Sequence, residues 1–213
     1  HGKVRLMNDH TPQGHQSLAE LIASRLCHDL VNPLGAIGNG VELIEMTGAA
    51  RGPEMALIRD AVRDAQARVR FMRIAFGAAA PTQILSAREA KTTAQSPWQG
   101  ARLHVSWAVA EDLPRHRVKM GYLMLLCAET ALPMGGDVTI TQEAGGHLRL
   151  NAKAPRVTHD PALWSVLHFG MNAAARPLKA SEAQFPALHA TLALFDLTLN
   201  YVASEDGLVI ATA

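Results

Sequence analysis

The sequence predicts an α+β protein in which a long antiparallel helical hairpin is followed by an α/β sandwich. Two long stretches with the periodicity of amphipathic helices come first and are joined by a short turn. Near residue 78 this pattern ends, and shorter strand-like and helix-like segments follow to the end of the chain. With 213 residues, 48% of them hydrophobic, the chain can bury a core without disulfides or metals. We therefore predict a flexible N-terminus with a tag remnant over residues 1–16, a helical hairpin over 17–77 and an α/β domain over 78–213.

The first helix of the hairpin is predicted from an apolar stripe that runs from Leu18 to Ile44 in steps of three and four residues. Ser17 has the side chain of an N-cap, and Glu20, three residues later, completes a capping box. A helix of about 30 residues follows from this pattern.

The second helix is predicted to open at Pro53, a residue favoured at the first helical position. Its apolar residues, from Met55 to Phe76, alternate steps of three and four, which is the spacing of a coiled-coil seam. An isolated hairpin of this kind leaves one broad apolar side uncovered. We therefore predict a homodimer whose two hairpins form a four-helix bundle.

The C-terminal part is predicted to carry helices on one face of a mixed sheet. Strands are expected over 102–109, 137–142, 147–152 and 208–213, and helices over 116–132 and 187–202. Gly145 and Gly146 separate two of these strands, which indicates a hairpin. Because large aromatic side chains are mostly buried, we expect Trp98, Trp107 and Trp164 to pack in the core or between domains.

Composition excludes several classes of protein. The net charge of +1 provides no basic field for nucleic acid. No stretch approaches the roughly 18 apolar residues of a membrane span, and the start of the chain lacks the apolar region of a signal peptide. Cys27 and Cys127 have no metal-ligand spacing, so neither a zinc site nor a disulfide framework is predicted. A cytoplasmic, reducing location fits this pattern best.

The candidate site lies in the middle of the first helix. At about 100° per residue, His28 points away from the apolar stripe and is predicted to face water. Five residues share its half of the helix: Ser24, Arg25, Asn32, Gly35 and Asn39. Pro33 removes a helical hydrogen bond one turn after His28, and Gly35 bears no side chain, so a partner protein could approach the backbone closely here.

The segment HDLVNPL, residues 28–34, resembles the H-box of sensor histidine kinases, and the wider run RLCHDLVNPLGAIGNGVEL is similar to the ChpT family of histidine phosphotransferases of alphaproteobacterial cell-cycle phosphorelays. The resemblance implies that His28 takes a phosphoryl group on its imidazole. Neutral imidazole is a competent nucleophile, and Asp29 can hydrogen-bond the other ring nitrogen and hold the tautomer. Asn32 is placed to orient a water or a phosphoryl oxygen, and Arg25 to neutralise phosphate or pair with an acidic partner.

The same resemblance predicts a degenerate histidine-kinase-ATPase-like domain. Cys127 and Thr130 stand where a kinase has the asparagine and lysine of its nucleotide box, and a thiol is a poor ligand for Mg²⁺. The run AKAPRV, residues 152–157, replaces the acid and glycines of the adenine site, and no glycine occurs between Gly170 and Gly207 to cradle phosphates. We therefore predict no ATP binding, no metal site and no resident cofactor.

Without ATP, phosphate must come from another protein, and the resemblance implies receiver domains that supply their own Mg²⁺. Within the family these belong to a CckA-like hybrid kinase and to CtrA-like and CpdR-like response regulators. Two alternatives remain open: a non-catalytic dimeric adaptor that binds receivers, and an ATP-dependent histidine kinase.

Overall fold

The computed structural model describes residues 17–47, 53–80 and 82–213, and it confirms the predicted α+β class. The predicted N-terminal part, 1–16, lies outside these residues. The helices are α1 (Leu18–Thr47), α2 (Pro53–Ala75), α3 (Ala87–Gln95), α4 (Arg115–Ala131), α5 (Pro161–Trp164), α6 (Val166–Phe169) and α7 (Gln184–Leu194). The strands are β1 (Ile84–Leu85), β2 (Leu103–Trp107), β3 (Leu113–Pro114), β4 (Gly136–Gln142), β5 (Leu148–Lys153), β6 (Leu199–Ala203) and β7 (Gly207–Thr212).

Helix α1 begins with the predicted capping box. The backbone N–H of Glu20 donates to Ser17 Oγ at 3.2 Å, and the backbone N–H of Ser17 donates to Glu20 Oε2 at 2.9 Å. The helix then continues through Pro33 without interruption. The capping box therefore satisfies backbone N–H groups that a bare helix N-terminus would leave unpaired.

Helices α1 and α2 pack side by side and run in opposite directions. The early part of α1, at Leu26, shares a groove with the end of α2, at Met72. Later in α1, Ala36 shares a cleft with Leu57, near the start of α2. This arrangement brings the middle of α1 to the side of the C-terminal domain.

The C-terminal domain is built on a mixed five-stranded sheet of order β2-β4-β5-β7-β6. Strands β2 and β4 are parallel, and the other neighbours are antiparallel. Alternate residues such as Val138, Leu150 and Ile210 are fully buried beneath the helices. Gly145 and Gly146 both have φ near +75°, at 75° and 76°, which lets the chain turn tightly between β4 and β5.

One predicted element is wrong in its second half. The helix expected over 187–202 ends at Leu194, and the segment from Leu199 to Ala203 forms strand β6 instead. Asp196 has a φ of 52°, a left-handed conformation that stops the helix and redirects the chain. Strand β6 then pairs with β7 along the edge of the sheet. The two-residue pairing of β1 with β3 was not predicted.

A buried cluster among the described residues joins helices α1 and α2 to the C-terminal domain. The ring of Phe71 in α2 stacks on Tyr122 in α4 at a centroid distance of 4.5 Å and meets Trp98 edge-on at 5.0 Å. All three tryptophans are buried, which confirms their predicted place in the core. In the described ranges no helix has the length and hydropathy that a membrane crossing requires.

Candidate functional site

His28 lies on the exposed side of α1, facing a cleft between the two long helices and the C-terminal domain. Its side chain is 70% exposed, which confirms that it points to water. The cleft has a volume of about 780 Å³. It is lined from α2 by residues such as Asp60 and Arg68, and from the C-terminal domain by residues such as Glu129 and Lys179. A protein surface could therefore reach the imidazole from outside.

Asp29 holds one ring nitrogen of this exposed histidine. Its Oδ1 lies 3.2 Å from His28 Nδ1, although the Asp29 side chain is itself only 8% exposed. A carboxylate oxygen only accepts hydrogen bonds, so this contact assigns the proton of a neutral imidazole to Nδ1. The lone pair then lies on Nε2, which is the nitrogen left free to attack an electrophile. The contact predicted between Asp29 and His28 is thus present.

Arg25 is buried, although the helical periodicity of α1 predicts it on the exposed half of the helix with His28. Its side chain is 10% exposed, and its Nε donates to Asp29 Oδ2 at 2.9 Å. Nη1 donates to the carbonyl oxygen of Ser181 at 3.0 Å, and Nη2 lies 3.6 Å from Glu129 Oε2. The prediction that Arg25 meets a partner or a phosphate is corrected on this geometry, because its guanidinium is already committed within the chain.

The other predicted contact residues remain on the surface of α1. Ser24, Gly35 and Asn39 are all exposed. Beyond the neighbouring backbone of α1, a Cβ built at Gly35 would meet no described atom within 4 Å, so the bare backbone there is open to a partner. Asn32 lies within α1, one turn after His28, and its side chain is outside the described part of the structure.

The C-terminal wall of the cleft contains residues that the sequence did not single out. Glu182 is 8% exposed in its side chain and accepts from both Arg176 Nη1 at 2.8 Å and Arg176 Nη2 at 2.6 Å. The backbone N–H of Lys179 also donates to Glu182, at 2.8 Å. Burial raises the pKa of Glu182, but these hydrogen bonds outweigh it and hold that pKa below its ordinary value. No spacing in the sequence marks this cluster as part of the site.

The positions that the resemblance aligned with a kinase nucleotide site are occupied by internal contacts. Burial raises the pKa of the Cys127 thiol well above its ordinary value, so this sulfur is neither charged nor accessible. Thr130 Oγ1 donates to the carbonyl of Leu126 and accepts from Gln184. Among the residues that the structure describes, no three His, Cys, Asp or Glu side chains are placed to hold a metal ion.

Comparison with known proteins gives consistent matches. The family model described as the histidine phosphotransferase C-terminal domain matches residues 87–207. The protein phosphotransferase ChpT of Brucella abortus (strain 2308) is 39% identical over 128 residues, which span 59% of this chain and 61% of that relative. The match thus covers less than two thirds of the relative's length.

Solved structures extend the similarity beyond the C-terminal domain. A bacterial phosphotransferase matches with a TM-score of 0.78 and 30% identity over 93% of this chain and 98% of that one. A histidine kinase domain from Erythrobacter litoralis matches with a TM-score of 0.44 and 13% identity, a similarity too low to support an argument. Because the family model covers more than half of the residues and the solved phosphotransferase matches almost the whole chain, the protein belongs to the ChpT family of histidine phosphotransferases.

Proposed function

We propose that this protein is a histidine phosphotransferase of a two-component phosphorelay, which moves phosphoryl groups between receiver-domain aspartates through phospho-His28 and does not bind ATP. The observation that carries the proposal is the pair formed by His28 and Asp29. The imidazole is 70% exposed, whereas the carboxylate that fixes its Nδ1 is 8% exposed. An exposed nucleophile with a held tautomer is what transfer between proteins requires.

The transfer step follows from this pair. His28 Nε2 attacks the phosphorus of a receiver aspartyl phosphate, the bond from phosphorus to the aspartyl oxygen breaks, and the receiver carboxylate leaves with the electron pair. The imidazole becomes a cation that keeps its proton on Nδ1, where the Asp29 carboxylate stabilises it. The reverse reaction passes the phosphoryl group to the aspartate of a second receiver. The receiver provides Mg²⁺, so no ligand for the ion is needed from this chain.

Surface residues of α1 provide the docking contacts in this proposal. Ser24, Gly35 and Asn39 lie on the same exposed side of the helix as His28. Asn32 orients a water or a phosphoryl oxygen one turn away. Receivers like those of CckA, CtrA and CpdR are the partners that membership of the family suggests, and a cytoplasmic location follows from such partners. We propose no partner role for nucleic acid or membranes.

A homodimer completes the proposed architecture. Leu34 and Val41 are 59% and 43% exposed on α1, and Val62 and Val69 are 36% and 48% exposed on α2. Each pair is seven residues apart and so lies along one side of its helix. Exposed apolar residues in such rows are typical of an interface. We propose that a second copy covers them, so that the two hairpins form a four-helix bundle.

The experiment that tests the function supplies phosphate from two sources. Purified protein is incubated either with a phosphorylated receiver domain and Mg²⁺ or with labelled ATP and Mg²⁺, and acid-labile, alkali-stable label is measured. We expect label from the receiver only, and its loss in His28→Ala. His104→Ala is the matched control, because His104 is 73% exposed and its Nδ1 lies 3.3 Å from Asp137 Oδ1.

The remaining outcomes separate the alternatives. Label from ATP alone would make the protein a kinase and overturn the interpretation of Cys127. Receiver binding without label, unchanged in His28→Ala, would make it an adaptor. Removal of an exposed histidine costs little stability, so His28→Ala is expected to stay folded.

A further inference from the structure

We infer that Arg25 is a positioning residue, which locks the His28 tautomer to the C-terminal domain by holding Asp29, Ser181 and Glu129 at once. This inference rests on the proposed function and deepens it, because it gives the C-terminal domain a part in the chemistry of His28, which lies on α1. Three independent features of the structure support it: the burial of Arg25, the way its partners are held, and the geometry that it imposes on Asp29.

The guanidinium of Arg25 is used on three sides. Nε donates to Asp29 Oδ2 at 2.9 Å, Nη1 donates to the Ser181 carbonyl at 3.0 Å, and Nη2 faces Glu129 Oε2 at 3.6 Å. Asp29 is on α1, Glu129 is on α4, and Ser181 lies in the 3₁₀ turn Ala180–Glu182. A lysine has one nitrogen and cannot reach three acceptors in these directions. The side chain therefore ties the phosphate-accepting helix to two separate elements of the C-terminal domain.

Both acceptors on the C-terminal side are themselves held. Trp98 Nε1 donates to Glu129 Oε1 at 2.9 Å, which leaves Oε2 turned toward Arg25. The carbonyl of Ser181 accepts a second hydrogen bond from Gln184 Nε2 at 2.9 Å, and Gln184 is fully buried. Each group that Arg25 contacts in the C-terminal domain therefore has a second hydrogen-bond partner, although the Glu129 side chain is itself 37% exposed.

This anchoring determines which way the Asp29 carboxylate faces. With Oδ2 bound to Arg25 Nε, Oδ1 is directed to His28 Nδ1 at 3.2 Å. The carboxylate can hold the proton on Nδ1 only in this orientation. Without Arg25, a carboxylate that is 8% exposed would lose its charged partner and turn toward solvent or another donor. His28 would then sample both tautomers, and Nε2 would carry the lone pair for less of the time.

The test measures the tautomer directly and needs no partner protein. In protein labelled with ¹⁵N in its histidines, the ring nitrogen shifts of His28 at neutral pH report which nitrogen bears the proton. We expect the wild type to hold it on Nδ1 and Arg25→Met to show a mixture, with Arg25→Lys closer to Arg25→Met than to the wild type. Arg88→Met, which removes an exposed arginine of α3, is the matched control and should leave the His28 shifts unchanged.

Transfer from phosphoramidate provides the second readout. His28 Nε2 attacks its phosphorus, the P–N bond breaks and ammonia leaves, so the reaction uses only the histidine and this small donor. We expect Arg25→Met to form phosphohistidine about tenfold more slowly. Glu129→Gln keeps an acceptor for Trp98 but removes the charge facing Arg25, and it should shift the tautomer in the same direction to a smaller extent. It serves as the second variant if Arg25→Met does not fold.

The two proposals fail in different ways. If Arg25→Met and Glu129→Gln both keep the wild-type tautomer and rate, Arg25 has no positioning role, whereas the phosphotransferase function is untouched. If the wild type holds the proton on Nδ1 but accepts no phosphate from phosphoramidate or from a receiver, the proposed function is wrong. The His28 ring-nitrogen shifts of the wild type and Arg25→Met would still decide whether Arg25 positions the imidazole.

Discussion

Two histidines of this chain have nearly the same contact with an aspartate, and the difference between them lies in the carboxylate. His28 Nδ1 is 3.2 Å from Asp29, and His104 Nδ1 is 3.3 Å from Asp137. The Asp29 side chain is 8% exposed, but that of Asp137 is 80% exposed. Water and salt screen an exposed pair, and free rotation lets it separate. A held tautomer is therefore expected at His28 and not at His104.

Glu182 makes a contribution to the free energy of unfolding that depends on pH. Because its pKa is lowered in the folded protein, Glu182 contributes stability above the unfolded value of 4.5 and loses it as the pH falls below that value. We predict that Glu182→Gln lowers the free energy of unfolding at neutral pH, because the neutral amide loses the charge that pairs with Arg176 and one of the two oxygens that accept its hydrogen bonds. Urea unfolding of both proteins from pH 7 to pH 3 measures this difference.

The difference between wild type and Glu182→Gln should shrink as the pH drops below 4.5. Glu143→Gln is the control, because Glu143 is 46% exposed and its pairing with Arg149 should contribute little at any pH. A destabilisation by Glu182→Gln that stayed constant down to pH 3 would contradict the assignment of this effect to the charged carboxylate.

The sequence predicts the contacts of the site that form within helix α1, but not those that α1 makes with distant parts of the chain. The positions of His28 and Asp29 follow from helical geometry, because both the exposure of one and its contact with the other are local. The burial of Arg25 is not local, since its partners Glu129 and Ser181 are more than a hundred residues away in the chain. A helical wheel places Arg25 next to His28 but cannot show that another domain covers it.

Helix α1 has an exposed surface with little side-chain cover close to His28, the proposed phosphate acceptor. Gly35 is exposed, and beyond the neighbouring backbone of α1 a Cβ there would meet no described atom within 4 Å. We predict that Gly35→Ala stabilises the protein by about 1 kcal/mol, the difference in helix propensity between the two residues. We also predict that it slows transfer from a phosphorylated receiver, because the added methyl group would lie on the proposed docking surface. Chemical denaturation measures the first effect and label transfer the second.

Phosphoramidate separates docking from chemistry in the Gly35→Ala variant. This small donor has no surface to dock, so its reaction with His28 should proceed at the wild-type rate. An equal loss with both donors would show that the substitution disturbs the histidine itself, and an unchanged rate with the receiver would remove Gly35 from the docking surface.

The helices and strands whose apolar residues recur with a clear helical or strand period were predicted well. The end of α7, which depends on the backbone conformation of a single residue, was not. The regular spacing of α1 and α4 and the alternation in β4 and β5 predict their bounds closely. The segment 187–202 contains no Gly or Pro to mark where α7 ends, although its second half alternates apolar and polar residues as a strand does. The helix stops near Asp196, whose left-handed φ becomes visible only in the structure.

At the scale of the whole molecule, the rows of exposed apolar residues on α1 and α2 predict a homodimer. Val69 is 48% exposed on α2, and we expect Val69→Asp to convert a dimer into a monomer because it would bury an unpaired charge at the seam. Light scattering after size exclusion measures the mass of each protein. Val202→Asp, at a position that is 70% exposed on strand β6, should leave the dimer intact. A wild-type protein that is monomeric at micromolar concentration would contradict the proposed bundle.

The core that joins α1 and α2 to the C-terminal domain predicts that the protein unfolds as one unit. Phe71 of α2 is 1% exposed and stacks on Tyr122 of α4, so neither the long helices nor the sheet can separate without exposing large aromatic rings. We expect urea transitions followed by tryptophan fluorescence and by far-ultraviolet circular dichroism to coincide at a fixed protein concentration. Phe71→Ala should lower the free energy of unfolding by about 3–5 kcal/mol.

The loss of unfolding free energy in Phe71→Ala should appear equally in the fluorescence and circular dichroism transitions. The Phe71 ring belongs to the core that the long helices share with the C-terminal domain. Phe169→Ala is the matched control: Phe169 is 74% exposed, and its removal should change the midpoint little. Two separate transitions in the wild type, with Phe71→Ala shifting only one of them, would mean that the hairpin and the C-terminal domain fold independently. In that case Arg25 would join two bodies that move apart, and the held tautomer of His28 would depend on how often they meet.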